Sequence, residues 1–301
     1  MNVTFRQLRL FLELANQRSI SGVARHFQVT QPTVSMQMRE LSDEVGLPLY
    51  EVIGKRLYLT SAGQELARAA QVMEDEWQAY EQCIAGMKGL TCGQLSIAVV
   101  STAKYFMPRL LGAFSKMYPE VDIALEVQNR EGILRRLREN RDDFCIMSIP
   151  PDDIDIVRHT LMPNPLVMVA SQTHAFAGQQ GLRLEQFCGE RFILREAGSC
   201  TRLACDRHFA SHDFLPQTRM ELGSNEAIKQ TVAGDMGLSV LSRHALNTNL
   251  QDHALAILDV QDFPLQENWF AVHLQGKRLS PVARGFLDYL QQNAGQAVAA
   301  A

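Results

Sequence analysis

At 301 residues the chain is too long for one ordinary domain and implies two or three. Its 29 lysines and arginines against 33 aspartates and glutamates give a formal net charge of −4, which excludes a polycation that coats nucleic acid by charge alone. No apolar run approaches the ~20 residues of a membrane span, and six cysteines (Cys83, Cys92, Cys145, Cys188, Cys200 and Cys205) without an export signal read as reduced thiols, so a cytoplasmic protein with no membrane partner is expected.

In chain order, the first predicted element is an amphipathic helix with Thr4 as its cap and Leu8, Phe11, Leu12 and Ala15 on one stripe. The stretch from Ser19 to Leu41 then reads as two short helices joined by a tight turn. Ser19 or Ser21 caps the first, Ala24 is its small buried residue, and Val23 and Phe27 share a face. Gln28-Val29-Thr30 forms the turn. Thr30 or Gln31 caps the second helix, and Pro32 occupies its first turn, where a missing N–H costs nothing. Val34, Met38 and Leu41 turn inward, which leaves Gln31, Thr33, Ser35, Met36, Gln37 and Arg39 on the outer face beside Pro32. Amides for adenine edges, hydroxyls of either polarity, methyls for thymine and an arginine for guanine or phosphate are what a major-groove reader needs. The candidate partner is double-stranded DNA.

Next, two β-prone runs within residues 49–59 flank Gly54-Lys55, a hairpin signal, and place Lys55 and Arg56 at the tip of a wing that can reach the backbone or minor groove. Up to Arg68 basic residues outnumber acids only slightly, so base contacts and a few phosphate contacts must carry binding. A long helix follows from Thr60 to about Met87. Its Leu66, Ala70, Met73, Trp77, Tyr80, Ile84 and Met87 alternate spacings of four and three, a heptad seam that reads as a dimerising linker; a single helix packed on its own domain is the alternative.

Residues 86–93 lose the helical pattern, and the hinge is placed there. Strands and helices then alternate as in parallel α/β units: strands over 94–100, 121–128 and 144–148, with helices over 105–117 and 132–140. Pro150-Pro151 ends this first pass. Strands over 166–171, 192–195, 219–222, 238–241, 256–260 and 270–274 come next, with helices from Thr201, Asn225 and Pro281. Three segments put hydroxyl or amide side chains at helix starts: Ser101-Thr102, Ser199 with Thr201-Arg202, and Ser224-Asn225. Converging helix starts would gather unpaired N–H groups for an anion, with Lys104 and Arg202 adding charge; each alone also reads as a plain cap.

Competing chemistry is weaker. Cys200, Cys205, His208 and His212 have metal-like spacing, but Phe209 stands where a zinc hydrolase carries its glutamate, and the same residues fit a half-buried helix face; no metal is assigned. Ser199, Asp206 and His208 lack a G-x-S-x-G elbow, and no G-x-G-x-x-G or Walker loop occurs. Neither an enzyme nor a cofactor is expected. A redox sensor using Cys200 and Cys205 remains an alternative, as does a solute-binding protein or enzyme whose helical head serves only assembly.

The order A-x-x-x-x-V-T-Q-P-T-V-S-x-x-x-x-x-L from Ala24 to Leu41, followed by Gly46-Leu47-Pro48-Leu49-Tyr50 and Leu59-Thr60-Ser61-Ala62-Gly63, resembles the LysR-type transcriptional regulators, and the likeness extends over essentially the whole chain. It implies an α/β protein with an N-terminal winged helix-turn-helix (1–60), a long linker helix (61–89) and a two-lobed, periplasmic-binding-protein-like effector domain (90–301). Lobe I would hold 90–163 and 268–301, lobe II 164–267, with two chain crossings between them. It also implies an inverted-repeat operator, dimers that pair into tetramers, RNA polymerase as a further candidate partner, and an effector cleft at Ser101, Thr102, Lys104, Ser199, Thr201, Arg202 and Asn225. The segments Ser101–Tyr105, Arg195–Arg202, Ser224–Gln230 and Gly276–Ala283 look most like regulators of Calvin-cycle carbon-fixation operons. That subgroup implies an anionic metabolite, either a phosphorylated sugar metabolite or a nicotinamide dinucleotide. Two departures stand out: Cys200 replaces the subgroup's glycine, and the arginine common near Val52 is missing.

Overall fold

The computed structural model describes residues 2–54, 56–87, 92–246 and 254–299, without the side chains of 82, 83, 85–87 and 296–299. The chain forms two compact units, Met1–Glu81 and Gln82–Ala301.

The first unit opens with α1 (Phe5–Gln17). Thr4 Oγ1 accepts from the Gln7 backbone N–H while Gln7 Oε1 accepts from the Thr4 N–H, a reciprocal cap of a kind that contributes about 1 kcal/mol. The helix buries Gln7, Leu8, Leu10, Phe11 and Leu14, whereas Leu12 and Ala15 are only half-buried. The apolar stripe is therefore rotated from the expected one, because α1 meets both α2 and α3 and the side between them runs through Leu10 and Leu14. Ser19 caps α2 (Ile20–His26) and Thr30 caps α3 (Gln31–Val45), with Pro32 in the first turn of α3. That helix stops at Gly46, whose φ of +77° is a left-handed conformation that side chains with a Cβ rarely adopt.

Val34, Met38 and Leu41 are fully buried against Phe11, Leu14 and Val23. Leu49 and Leu57 close the core from the hairpin β1 (Tyr50–Ile53) and β2 (Arg56–Leu59), which pair from Tyr50↔Leu59 to Ile53↔Arg56. The long helix α4 (Ser61–Met87) begins where Thr60 Oγ1 donates to Pro48 O and accepts from the Gly63 N–H. Gly63 is required there, since a Cβ would fall 1.9 Å from Leu49 O. The heptad seam divides. Leu66 packs into the unit's own core and Ala70 is buried, but Met73, Trp77 and Tyr80 remain 52%, 47% and 56% exposed. Between these halves Glu74 is buried and paired with Arg9 at 3.1 Å. Trp77 packs on Phe5 at 5.7 Å and on Tyr80 at 5.5 Å between ring centres.

The second unit is built on β3 (Gly93–Val100), parallel to both β4 (Val121–Gln128) and β5 (Phe144–Met147). β6 (Ile156–Ser171) and β11 (Leu265–Leu274) run antiparallel to each other, and β11 also pairs with β5. The far half of β6 carries β9 (Ser239–Ser242) and β10 (Leu255–Ile257); β7 (Arg191–Arg195) and β8 (Gln217–Leu222) form a separate parallel pair. Two cores result. Phe114, Phe144, Phe286 and Trp269 centre the first, under α5 (Met107–Met117), α6 (Arg130–Arg138) and α9 (Pro281–Ala299). Phe187, Phe192, Phe209 and Phe214 centre the second, where α7 (Cys200–Ser211) packs; α8 (Asn225–Ala233) packs beside it over Ile193 and Leu241.

β6 and β11 contribute to both cores: Leu161, Met162 and Trp269 to the first, Leu166, Met168 and Leu265 to the second. The structure corrects the expected strand over 166–171, which begins ten residues earlier, at Ile156. Pro163 and Pro165 hide that half in the sequence, yet they are tolerated because this stretch pairs only with β11 among the named strands and loses no second ladder. The expected helix over 105–117 is likewise a 3₁₀ turn (Ser101–Tyr105) followed, after Phe106, by α5 with Pro108 in its first turn.

Candidate functional site

Two sites stand on these units. On α3, Gln31, Pro32, Ser35, Met36 and Arg39 are exposed, and Thr33 and Gln37 half-exposed, all opposite the buried Val34–Met38–Leu41 stripe. Thr33 shares a hydrogen bond of 2.8 Å with the capping Thr30, and Gln37 Nε2 donates to Glu40 Oε2 at 2.7 Å. Gln37 is thus held within the helix and must exchange that bond to reach a base edge. Arg39 makes no ion pair with the described residues. Arg56 opens β2 on the exposed side of the hairpin; Lys55 lies outside the described residues.

In the second unit a small, partly open cleft lies where the two lobes meet. One wall is the end of β3 and the turn after it, Ser101 and Thr102; the facing wall is the start of α7, Ser199 to Thr201. Arg130, Ser148, Asn164 and Trp269 line it from α6, the end of β5, β6 and β11. Ser199 Oγ caps α7 by accepting from the Arg202 N–H, so the N–H groups of Cys200 and Thr201 stand first at the positive end of a twelve-residue helix.

Arg195, 3% exposed, ties the walls together. Its Nε and Nη2 donate to both carboxylate oxygens of Glu196 at 2.7 and 2.8 Å. Nη1 reaches Asn225 Oδ1 at 2.7 Å and Thr102 Oγ1 at 3.3 Å, and Nη2 reaches Ser101 Oγ at 3.2 Å. Asn225 Nδ2 closes the ring by donating to Thr102 Oγ1. Beside it, Tyr105 Oη donates to Glu226 Oε1, and Lys229 Nζ pairs with Glu226 Oε2 at 2.9 Å. Burial opposes ionisation of Glu226, but the bonds from Tyr105 and Lys229 outweigh it and hold the carboxyl below the usual range.

Of the seven residues expected at the cleft, Ser101, Thr102, Ser199 and Thr201 line it, and Asn225 sits directly behind it on Arg195. Lys104 is instead exposed, its Nζ 5.1 Å from the Tyr105 ring centre. Arg202 is spent on Asp206, Glu221 and the Arg195 carbonyl. The lining cations among the described residues are Arg195 and Arg130, which sequence reasoning missed; the available signal was that Arg130 opens α6, whereas Arg195 ends strand β7. Glu196, the acid of the lining, is neutralised by Arg195, so the walls present donors and a second guanidinium, Arg130, whose Nε donates to the Ile149 carbonyl at 3.3 Å and which forms no close ion pair among the described residues. That suits an acceptor-rich anion.

The cysteines sort by burial. Cys205 lies in the second core, and burial pushes its thiol up to about 12, whereas Cys188 is exposed. Iodoacetamide at pH 8 is therefore expected to modify Cys188 and leave Cys205 unmodified in the folded protein, as read by peptide mass spectrometry; rapid labelling of Cys205 would contradict this burial. The His208 and His212 rings lie tilted by 44° with 4.3 Å between centres, and no group of three or more His, Cys, Asp or Glu suited to a metal ion occurs among the described residues.

Residues 5–64 match the model of bacterial regulatory helix-turn-helix proteins of the lysR family, and residues 88–295 match that of the LysR substrate binding domain. The chain belongs to the LysR family. As a LysR-type protein it is a DNA-binding transcriptional regulator with an effector-binding domain, the α/β architecture expected from its sequence. It is 42% identical to the RuBisCO operon transcriptional regulator of Acidithiobacillus ferrooxidans, over 96% of this chain and 94% of that one. It is equally 42% identical to the transcriptional activator CmpR of Synechocystis, over 96% and 95%. Among solved structures, the CcmR regulatory domain of Synechocystis in complex with 2-phosphoglycolate is 45% identical, with a TM-score of 0.64 over 66% of this LysR-type chain and 96% of that domain. Full-length CbnR bound to its target DNA shares the fold at 19% identity and a TM-score of 0.66, over 96% and 99%. No helix of the described residues is long and apolar enough to cross a membrane.

Proposed function

We propose that this protein is a cytoplasmic regulator of a carbon-fixation operon, acting by binding and not by catalysis. Its α3 face and wing read an inverted-repeat operator, and a small phosphorylated anion occupies the cleft between the lobes of its effector domain. The observation that carries this reading is the donor-lined cleft at the α7 start, in a chain 45% identical to a domain whose structure holds 2-phosphoglycolate. The exposed Met73, Trp77 and Tyr80 support dimerisation through α4, with pairing of dimers as a further step. Burial of the Cys205 thiol weighs against the redox alternative, which would need a reactive pair at Cys200 and Cys205.

The test is a gel shift on the chain's own upstream region, with and without 2-phosphoglycolate. Binding should be site-specific and its affinity or footprint should respond to the ligand; no response to any phosphorylated metabolite would remove the effector reading. The α3 face is tested separately. Gln37→Ala is expected to cost about 1–3 kcal/mol at the operator while leaving random DNA binding nearly intact. Equal loss on both would move base reading away from Gln37.

A further inference from the structure

Trp269 is 1% exposed, and its Nε1–H is a buried donor with no hydrogen-bond partner among the described residues. Such orphaned donors are rare and costly, because water is given up and nothing replaces it. The position of this one is informative. Trp269 lines the cleft, and it stands at the point where the β6–β11 register slips: Trp269 pairs with Met162 but Phe270 pairs with Thr160, which leaves Leu161 unpaired. A bulge of this kind re-aims side chains, and here it sits at the crossing between lobes. The ring is then fixed edge-on against Phe106 at 5.1 Å.

The neighbouring groups are also acceptor-seeking. Asn164, 2% exposed, has its carbonyl oxygen occupied by Ser242 at 2.6 Å, so its amide nitrogen is the end left to bind. The hydroxyls of Ser148 and Thr201 bond to no described residue. Trp269 and Ser148 thus line the cleft on the lobe I side, across from the start of α7.

We infer that the Trp269 indole N–H donates to an acceptor oxygen of the effector other than the group held at the α7 start, which makes Trp269 a specificity-determining residue. This rests on the cleft being the effector site. The ligand class that follows is a compact molecule with acceptor oxygens at both ends, such as a phosphorylated carboxylate or hydroxy acid; an isolated phosphate ion engages one end only.

The experiment uses the full chain with 2-phosphoglycolate and inorganic phosphate as probes. Calorimetry on Trp269→Phe, which keeps an aromatic ring and removes the donor, should show about tenfold weaker binding of 2-phosphoglycolate and unchanged binding of phosphate. In the unmodified protein labelled with indole-15N tryptophan, the Trp269 N–H resonance, assigned with Trp77→Phe, should move downfield with 2-phosphoglycolate and stay in place with phosphate. An unmoved resonance, as for an indole bonded only to trapped water, overturns the inference even where the variant folds poorly. Equal weakening for both probes without a shift also overturns it, since that is the signature of packing alone. If the unmodified protein binds neither probe, the effector reading itself falls and this assignment with it.

Discussion

Arg195→Ala is expected to destabilise the effector domain by about 3–5 kcal/mol, a large fraction of a domain's net stability. The guanidinium is 3% exposed and satisfies Glu196, Asn225, Thr102 and Ser101 together, so its removal leaves a carboxylate without its counter-charge and three polar groups short of a partner. Urea unfolding, followed by Trp269 emission in a Trp77→Phe background, measures the loss. The double variant Arg195→Met with Glu196→Gln should recover a good part of it, because a neutral pair leaves no buried charge behind. A single variant that loses less than about 1 kcal/mol would mean that the bonds around Arg195 are replaced by water at little cost. Ligand affinity should fall in the same variant, since the two walls are no longer held in register.

Trp77→Glu is expected to convert the dimer to monomers and to lower operator affinity roughly 100-fold, about 2.7 kcal/mol, because the two half-sites would no longer be engaged by one linked particle. Trp77 is 47% exposed, in contact with Phe5 and Tyr80, and flanked by exposed Met73, so a carboxylate there meets water in the monomer but would be desolvated in a paired helix. Sedimentation gives the mass and a thermal melt checks that the winged domain is intact. A dimer of unchanged stability would place the pairing surface elsewhere.

The helix-turn-helix was legible because its signals are local. Thr30 caps, Pro32 starts the helix and Val34, Met38 and Leu41 repeat at helical spacing, all within twelve residues. The first helix was legible in type but not in rotation, since Leu10 and Leu14 are buried by α2 and α3 and no property of α1 alone says so. The first half of β6 was hidden by Pro163 and Pro165, which a strand with one ladder free accepts. At the cleft, helix-start hydroxyls could be named from the sequence, but Arg195 could not be separated from Arg202. What distinguishes them is partners known only from the fold: Arg195 reaches Thr102 and Asn225, 93 and 30 positions away, whereas Arg202 is held by Asp206 and Glu221, four and 19 away. Trp269 gave no local signal, because a missing hydrogen bond is a property of the folded surroundings.

The shared strands β6 and β11 set how the lobes can move. Ten paired positions, from Leu265↔Leu166 to Leu274↔Ile156 and interrupted only by the bulge at Leu161, pass from one core to the other without a flexible loop between them. A ladder of this length resists sliding and opening, and what it concedes most easily is twist. The crossing is therefore built to yield as a torsion bar does, by twist, and not as a pivot.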